Sequence, residues 1–186
     1  MSLIQKQLKI AKEQRKLISF IEYGSDTNFF CGYVLDYSLD MVTIQHVTKF
    51  GKDDGLIIQP LSAYVRIDFD DDYALAMEYI IANSDKIYIP SDFNIDYSNS
   101  DYYVNIFNYF CGNTDVILSF EIDSDFNSGY LVEYSDTDFS IRSVGKDGEN
   151  LGISIFKIED ITSVQIDDVD NRRRHLLFQW RKTNKK

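Results

Sequence analysis

The stretch Gly32-Tyr33-Val34-Leu35-Asp36-Tyr37-Ser38 returns as Gly129-Tyr130-Leu131-Val132-Glu133-Tyr134-Ser135, each position identical or conservatively exchanged. The same spacing recurs downstream. Gly55-Leu56-Ile57-Ile58 falls on Gly152-Ile153-Ser154-Ile155, Leu61 on Ile158, Val65 on Thr162 and Ile67 on Val164. Upstream, Ile18-Ser19-Phe20 faces Leu118-Ser119-Phe120 with a spacing about three residues longer, which places a length difference in the intervening turn. A constant spacing through several short apolar runs is the mark of an internal duplication.

Each copy reads as five short strands. In the first they are predicted near 17–23, 29–37, 41–49, 55–60 and 63–69. In the second they fall near 116–122, 129–134, 138–144, 151–157 and 161–167. Met41-Val42-Thr43-Ile44-Gln45-His46-Val47 alternates apolar and polar residues, and Phe139 to Val144 does so in part. A period of two marks a strand with one buried face. Turn residues separate the runs at Tyr23 to Asp26, Gly51 to Gly55 and Gly145 to Asn150. Five hairpin-linked strands are expected to close into a small barrel, which removes exposed sheet edges.

A helix is predicted before each barrel. Residues 2–16 place Leu3, Ile4, Leu8 and Ala11 on one face, with Ser2 as N-cap. Residues 100–111 place Tyr103, Ile106, Phe107 and Phe110 at helical spacing, after Ser100 and Asp101 and before the stop Gly112-Asn113. A further apolar helix, Tyr73 to Ile81, follows Asp71-Asp72, and 84–99 reads as a loop or linker. The expected organisation is therefore 1–70, a helix and first barrel; 71–99, a linker helix and loop; and 100–186, a helix, second barrel and basic C-terminal tail. The fold class is mainly β with helices: two tandem five-stranded barrels.

This order resembles the Sm-like family of small barrels. The residues that carry the resemblance are Gly32, Val34, Met41, Ile44 and the run Gly55 to Ile67, then Gly129, Leu131, Phe139, Ile141 and Gly152 to Val164. The resemblance implies assembly of barrels edge to edge and, in that family, RNA contacts from loop residues. Val42 and Ser140 stand where the family places asparagine. The turns after strand four read Gln59-Pro60 and Phe156-Lys157, without arginine-glycine. What the resemblance implies for this chain is thus the fold and strand-edge assembly, and not the base-reading patches.

Charge divides the chain. The net charge is −11, yet residues 1–16 carry +4 and residues 171–186 carry +7, which leaves −22 on the stretch between. An acidic body repels nucleic acid and attracts basic partners, while basic ends do the reverse. Arg172, Arg173, Arg174, Trp180, Arg181 and Lys182 are the candidate contacts for nucleic acid or a partner, because guanidinium forks grip phosphate and aromatic rings stack bases.

Catalytic chemistry finds little footing. Cys31 and Cys111 lie far apart, form no Cys-x-x-Cys pair and read as small buried hydrophobes. His46 has no nucleophile beside it and reads as a structural or surface histidine, and His175 sits in a basic run and reads as solvated. The aspartate clusters at 68–72, 123–125, 136–138 and 167–170 match no calcium loop and read as turns and helix N-terminal charge. The glycine turns lack the phosphate-cradle spacing. No cofactor or metal is expected, and the expectation is not an enzyme. No secretory signal or membrane-spanning run is read, so a cytoplasmic location is expected. The leading expectation is a non-catalytic module that binds a protein partner, or further copies of itself, through barrel edges and an acidic surface. The alternatives are a divergent Sm-like RNA binder using the basic ends, and an immunity-type inhibitor of a basic toxin.

Overall fold

The computed structural model describes residues 2–24, 29–98 and 101–184. Ser25 and Asp26 of the first predicted turn, the candidate cap Ser100, and Lys185 and Lys186 of the basic end lie outside the described residues. The chain forms two units, residues 1–84 and 85–186.

The first unit opens with α1 (Leu3–Gln14), closed at its start by a capping box between Ser2 and Gln5. Five antiparallel strands follow: β1 (Leu17–Glu22), β2 (Phe29–Tyr37), β3 (Met41–Val47), β4 (Asp53–Pro60) and β5 (Tyr64–Phe69). They lie in the order β4-β3-β2-β1-β5. Helix α2 (Asp72–Ala82) comes next, and α3 (Ser84–Tyr88) begins where the first unit ends. The second unit places α4 (Tyr102–Phe110) before β6 (Leu118–Ile122), β7 (Asp125–Tyr134), β8 (Asp138–Val144), β9 (Asn150–Lys157) and β10 (Ile161–Ile166). Their order is β10-β6-β7-β8-β9, and α5 (Val169–Asn184) ends the chain.

Strand pairing repeats residue for residue. Val34 faces Ile44 as Leu131 faces Ile141, and Asp36 faces Thr43 as Glu133 faces Ser140, with a bulge at the same place in both. Ile18 faces Gly32 as Leu118 faces Gly129, and Phe20 faces Ile67 as Phe120 faces Val164. The longer spacing before β2 is thus absorbed in the β6–β7 turn, and the register of the sheet is untouched.

Three expectations need correction. The sheets are open, not closed barrels: among the described residues β4 and β5 end one sheet, and β9 and β10 end the other. Each sheet still curls, because both of its end strands reach one core. Ile57 of β4 and Ile67 and Phe69 of β5 pack on the cluster around Phe20, Val42 and Ile44. Phe156 of β9 and Val164 and Ile166 of β10 pack on the cluster around Phe107, Phe120 and Phe139. Second, a helix does not merely precede each sheet; one also follows each. The helix read as a linker, α2, and the residues read as a basic tail, α5, occupy equivalent places at the repeat spacing. In both copies the residue two before the helix has a positive φ, Asp70 at 56° and Asp167 at 52°. Third, Cys31 is buried but Cys111 is exposed.

The trailing helix explains a burial pattern that period-two reasoning does not anticipate. Leu17, Ile18, Ser19 and Phe20 are all buried in succession, as are Ile117, Leu118, Ser119 and Phe120. Ile18 and Phe20 face the core that α1 covers. On the other side, Glu78 of α2 accepts the Leu17 amide and Asp71 accepts the Ser19 hydroxyl. A strand covered on both faces reads as a continuous apolar run.

Two glycines make the curl feasible. A Cβ at Gly32 would overlap the carbonyl oxygen of Gln45, and one at Gly129 that of Arg142. Only a residue without a side chain lets β2 approach β3, or β7 approach β8, this closely. Gly32→Ala and Gly129→Ala are each expected to cost about 2 kcal/mol, the usual cost of overpacking. Urea unfolding midpoints followed by circular dichroism check this; an unchanged midpoint would contradict the close approach.

Candidate interaction surface

The outermost strands β4 and β9 carry the clearest surface feature. Leu56 and Ile58 are 62% and 63% exposed, while the alternate residue Ile57 turns to the core. On β9, Leu151, Ile153 and Ile155 are 65%, 51% and 71% exposed, and the alternate residue Phe156 turns inward. Leu56 matches Ile153, and Ile58 matches Ile155, at the repeat spacing. Both copies therefore present aliphatic residues on the outer face of an end strand. An end strand also offers the backbone groups that a further strand would pair with.

The ends of these two strands differ in charge. β4 begins with Asp53 and Asp54 and contains no cation; β9 ends with Lys157. The Asp53 carboxyl lies below the usual carboxylate range because the Gly55 amide and then the Gln45 amide donate to it. Asp54 lies 3.1 Å from Nδ1 of half-buried His46, which accounts for that histidine as a structural residue. Lys157 lies 3.3 Å from Glu159, which raises its pKa. Gly55 and Gly152, both at positive φ, sit at a bulge near the start of each strand.

The six residues singled out at the C-terminus lie on α5, and much of their polar capacity is spent inside the second unit. Arg172 donates to the Ile87 and Asp167 carbonyls and pairs with the Asp167 carboxylate at 3.3 Å. Arg173, only 4% exposed, donates to the Lys146 carbonyl and pairs with Asp147 at 3.2 Å. Arg174 donates to the Val144 carbonyl and Arg181 to the Asp147 carbonyl. The Arg181 guanidinium also stands 5.7 Å from the Trp180 ring centre. Lys182 lies on the partly exposed last turn. These arginines clamp the β8–β9 turn and the strand ends onto α5. Bonds to backbone carbonyls cannot be read from sequence, because any residue type supplies them.

His175, expected to be solvated, is half-buried. Its Nδ1 lies 2.9 Å from the Tyr130 hydroxyl, and the Phe178 ring packs on Tyr130 from the same helix. Burial lowers the His175 pKa, against smaller opposing effects from Asp115 and Asp167. Burial likewise raises the Tyr130 pKa.

Among the described residues no group of three or more His, Cys, Asp or Glu is placed to hold a metal ion. No described helix is long and apolar enough to cross a membrane. No family model, curated protein or solved structure matches the chain.

Two outcomes are expected for the α5 clamp. Arg173→Ala strands Asp147 and the Lys146 carbonyl and should cost about 3 kcal/mol, read as a lower urea midpoint. Because the folded state holds His175 below its unfolded pKa of about 6.5, the unfolded chain binds the proton first on acidification. Stability is complete above about pH 6.5 and should decline as pH falls from there towards the lowered folded value. His175→Gln should flatten that decline; an unchanged pH profile in the variant would refute the assignment.

Proposed function

We propose that this chain is a non-catalytic interaction module that engages protein through the open edges of its two sheets. The observation that supports this most is the aliphatic stripe on the end strands β4 and β9, kept in both copies of the duplication. Scattered exposed leucines are ordinary on a protein surface, but a repeated row beside unpaired strand backbone is a docking feature. Strand addition supplies main-chain hydrogen bonds for affinity and alternate side chains for selectivity. The net charge of −11 favours a basic partner and speeds its encounter at low salt. The Sm-like resemblance supports the same reading, since that family assembles through strand edges.

An extended peptide of alternating valine and lysine, labelled with fluorescein, tests the edges directly. Fluorescence anisotropy should show binding that weakens as salt rises, and Ile58→Lys with Ile153→Lys should weaken it at least about tenfold. Both positions are exposed, so the unfolding free energy should change by no more than about 0.5 kcal/mol. Absence of peptide binding together with absence of self-association would overturn the proposal.

A further inference from the structure

We infer that the paired rings of Tyr97 and Tyr102 form a docking site for arginine side chains of a basic protein segment. The site lies on the second unit and uses neither β4 nor β9. Two Asp-Tyr pairs supply it, Asp96-Tyr97 and Asp101-Tyr102. Asp96 and Tyr97 belong to the extended stretch 91–98, which runs along α4. Phe93 and Ile95 of that stretch turn to the core around Phe107 and Phe120. Phe93 packs on Tyr109 and Phe110 at the end of the helix, and Tyr97 meets Tyr102 at its start, with ring centres 5.8 Å apart and planes tilted by 47°. With the inward side chains spent on the core, Tyr97 and Tyr102 are left 55% and 67% exposed. Helix α4 itself carries no charged residue. A mostly apolar helix is ordinarily covered, so exposed rings on it mark a place for a partner.

Charge selects the partner. Residues 87–141 contain ten carboxylates and no lysine, arginine or histidine. Asp96 accepts the Ser98 amide at 2.9 Å and the Ser98 hydroxyl at 3.1 Å, and Asp101 accepts the Tyr103 and Val104 amides. An ionised carboxylate accepts about four hydrogen bonds, so these bonds position both groups without exhausting them. The start of α4 contributes about half a positive charge, which the full charge of Asp101 outweighs. Tyr103 donates to the Ile161 carbonyl at 3.1 Å, which brings the preceding Glu159 and Asp160 to this end of the helix. The lysine of that turn, Lys157, is paired with Glu159 at 3.3 Å. Exposed rings beside carboxylates suit a guanidinium, which stacks its plane on an aromatic face while its edge donates to carboxylates. A lysine ammonium is compact and strongly hydrated, and gains less from the rings. Nucleic acid bases also stack on tyrosine, but this surface repels phosphate.

Fluorescence anisotropy on the full chain tests the site, with circular dichroism confirming that each variant is folded. The probes are two labelled peptides of equal length and charge, one of alternating arginine and glycine and one of alternating lysine and glycine. The arginine peptide should bind at least about fivefold more tightly than the lysine peptide. Tyr97→Leu and Tyr102→Leu should each weaken the arginine peptide about threefold or more and leave the lysine peptide within about twofold. Tyr97→Phe and Tyr102→Phe keep the rings and should hold the arginine peptide within about twofold. Asp96→Asn with Asp101→Asn, in which asparagine still caps α4, should weaken both peptides about threefold or more. The edge variants Ile58→Ser and Ile153→Ser should leave the arginine peptide within about twofold, and failure of the valine–lysine peptide at the edges would leave this site standing. Equal affinity for the two peptides, an arginine preference that survives both leucine variants, or its loss in the edge variants would overturn the inference. A labelled oligouridylate that binds through the same two tyrosines would overturn it too.

Discussion

The close approach at Gly32 and Gly129 is the constraint on which each unit depends. With no Cβ, the second strand of each sheet lies against the third without displacing the Gln45 or Arg142 carbonyl. The sheet can then wrap its end strands towards one core of large side chains. In the second unit Phe107, Phe120 and Phe139 lie within one another's reach, with ring centres of Phe120 and Phe139 4.5 Å apart. In the first, Phe20 meets Phe30 and Tyr64, and burial pushes the Tyr64 hydroxyl up to about 12. Bulges at matching positions in β2 and β7 supply the rest of the bend. The curl stops short of closure, which is why the end strands remain available.

The two copies solve one packing problem with different chemistry. The trailing helix of the first buries Ala74, Ala76, Met77 and Ile80. That of the second buries Asn171, Arg173, Leu176 and Leu177. Ala74 and Asn171 are equivalent positions, as are Ala76 and Arg173, and Ile80 and Leu177. Gly51 and Gly148, at positive φ in the third-to-fourth strand turn, let that turn touch Ile80 in one copy and Leu177 in the other. Where the first copy buries apolar side chains on this helix, the second pairs the buried polar side chains of its helix. The Asn171 side chain accepts the Ser119 hydroxyl, Ser119 meets Ser128 at 2.7 Å, and Arg173 is bonded on both sides. A buried polar contact of this kind fixes one geometry more than it adds stability.

Open edges are ordinarily guarded by charge, proline or bulges. Here the guards sit at the ends: Asp53, Asp54 and Pro60 on β4, and Lys157 on β9. The middles are aliphatic, and there the exposed surface is a liability unless something is to be bound. The acidic surroundings limit indiscriminate association by repulsion between like chains, an effect that salt screens over about 10 Å. Affinity from the edge and selectivity from the charge are therefore separable in experiment.

The sequence by itself determined the duplication, the five-strand order of each copy and the strand limits to within a few residues; β2 and β8 match their predicted ranges at both ends. Those features are local: side-chain period, turn residues and a constant spacing are all written along the chain. The aliphatic pattern of β4 and β9 was legible as strand, but not as exposed, because the run Leu56-Ile57-Ile58 and the apolar residues of β9 do not themselves say which face the core takes. Closure was the wrong expectation, because whether two end strands meet depends on accumulated twist and bulge geometry and not on any residue in either strand. Only the tertiary structure decided that α2 and α5 belong to the repeat. Their sequences share little, since Ala and Arg fill equivalent buried sites once neighbouring carbonyls are placed to receive the arginine. Charge read along the chain likewise suggested a free basic tail, whereas the fold spends those arginines on backbone oxygens that composition cannot reveal.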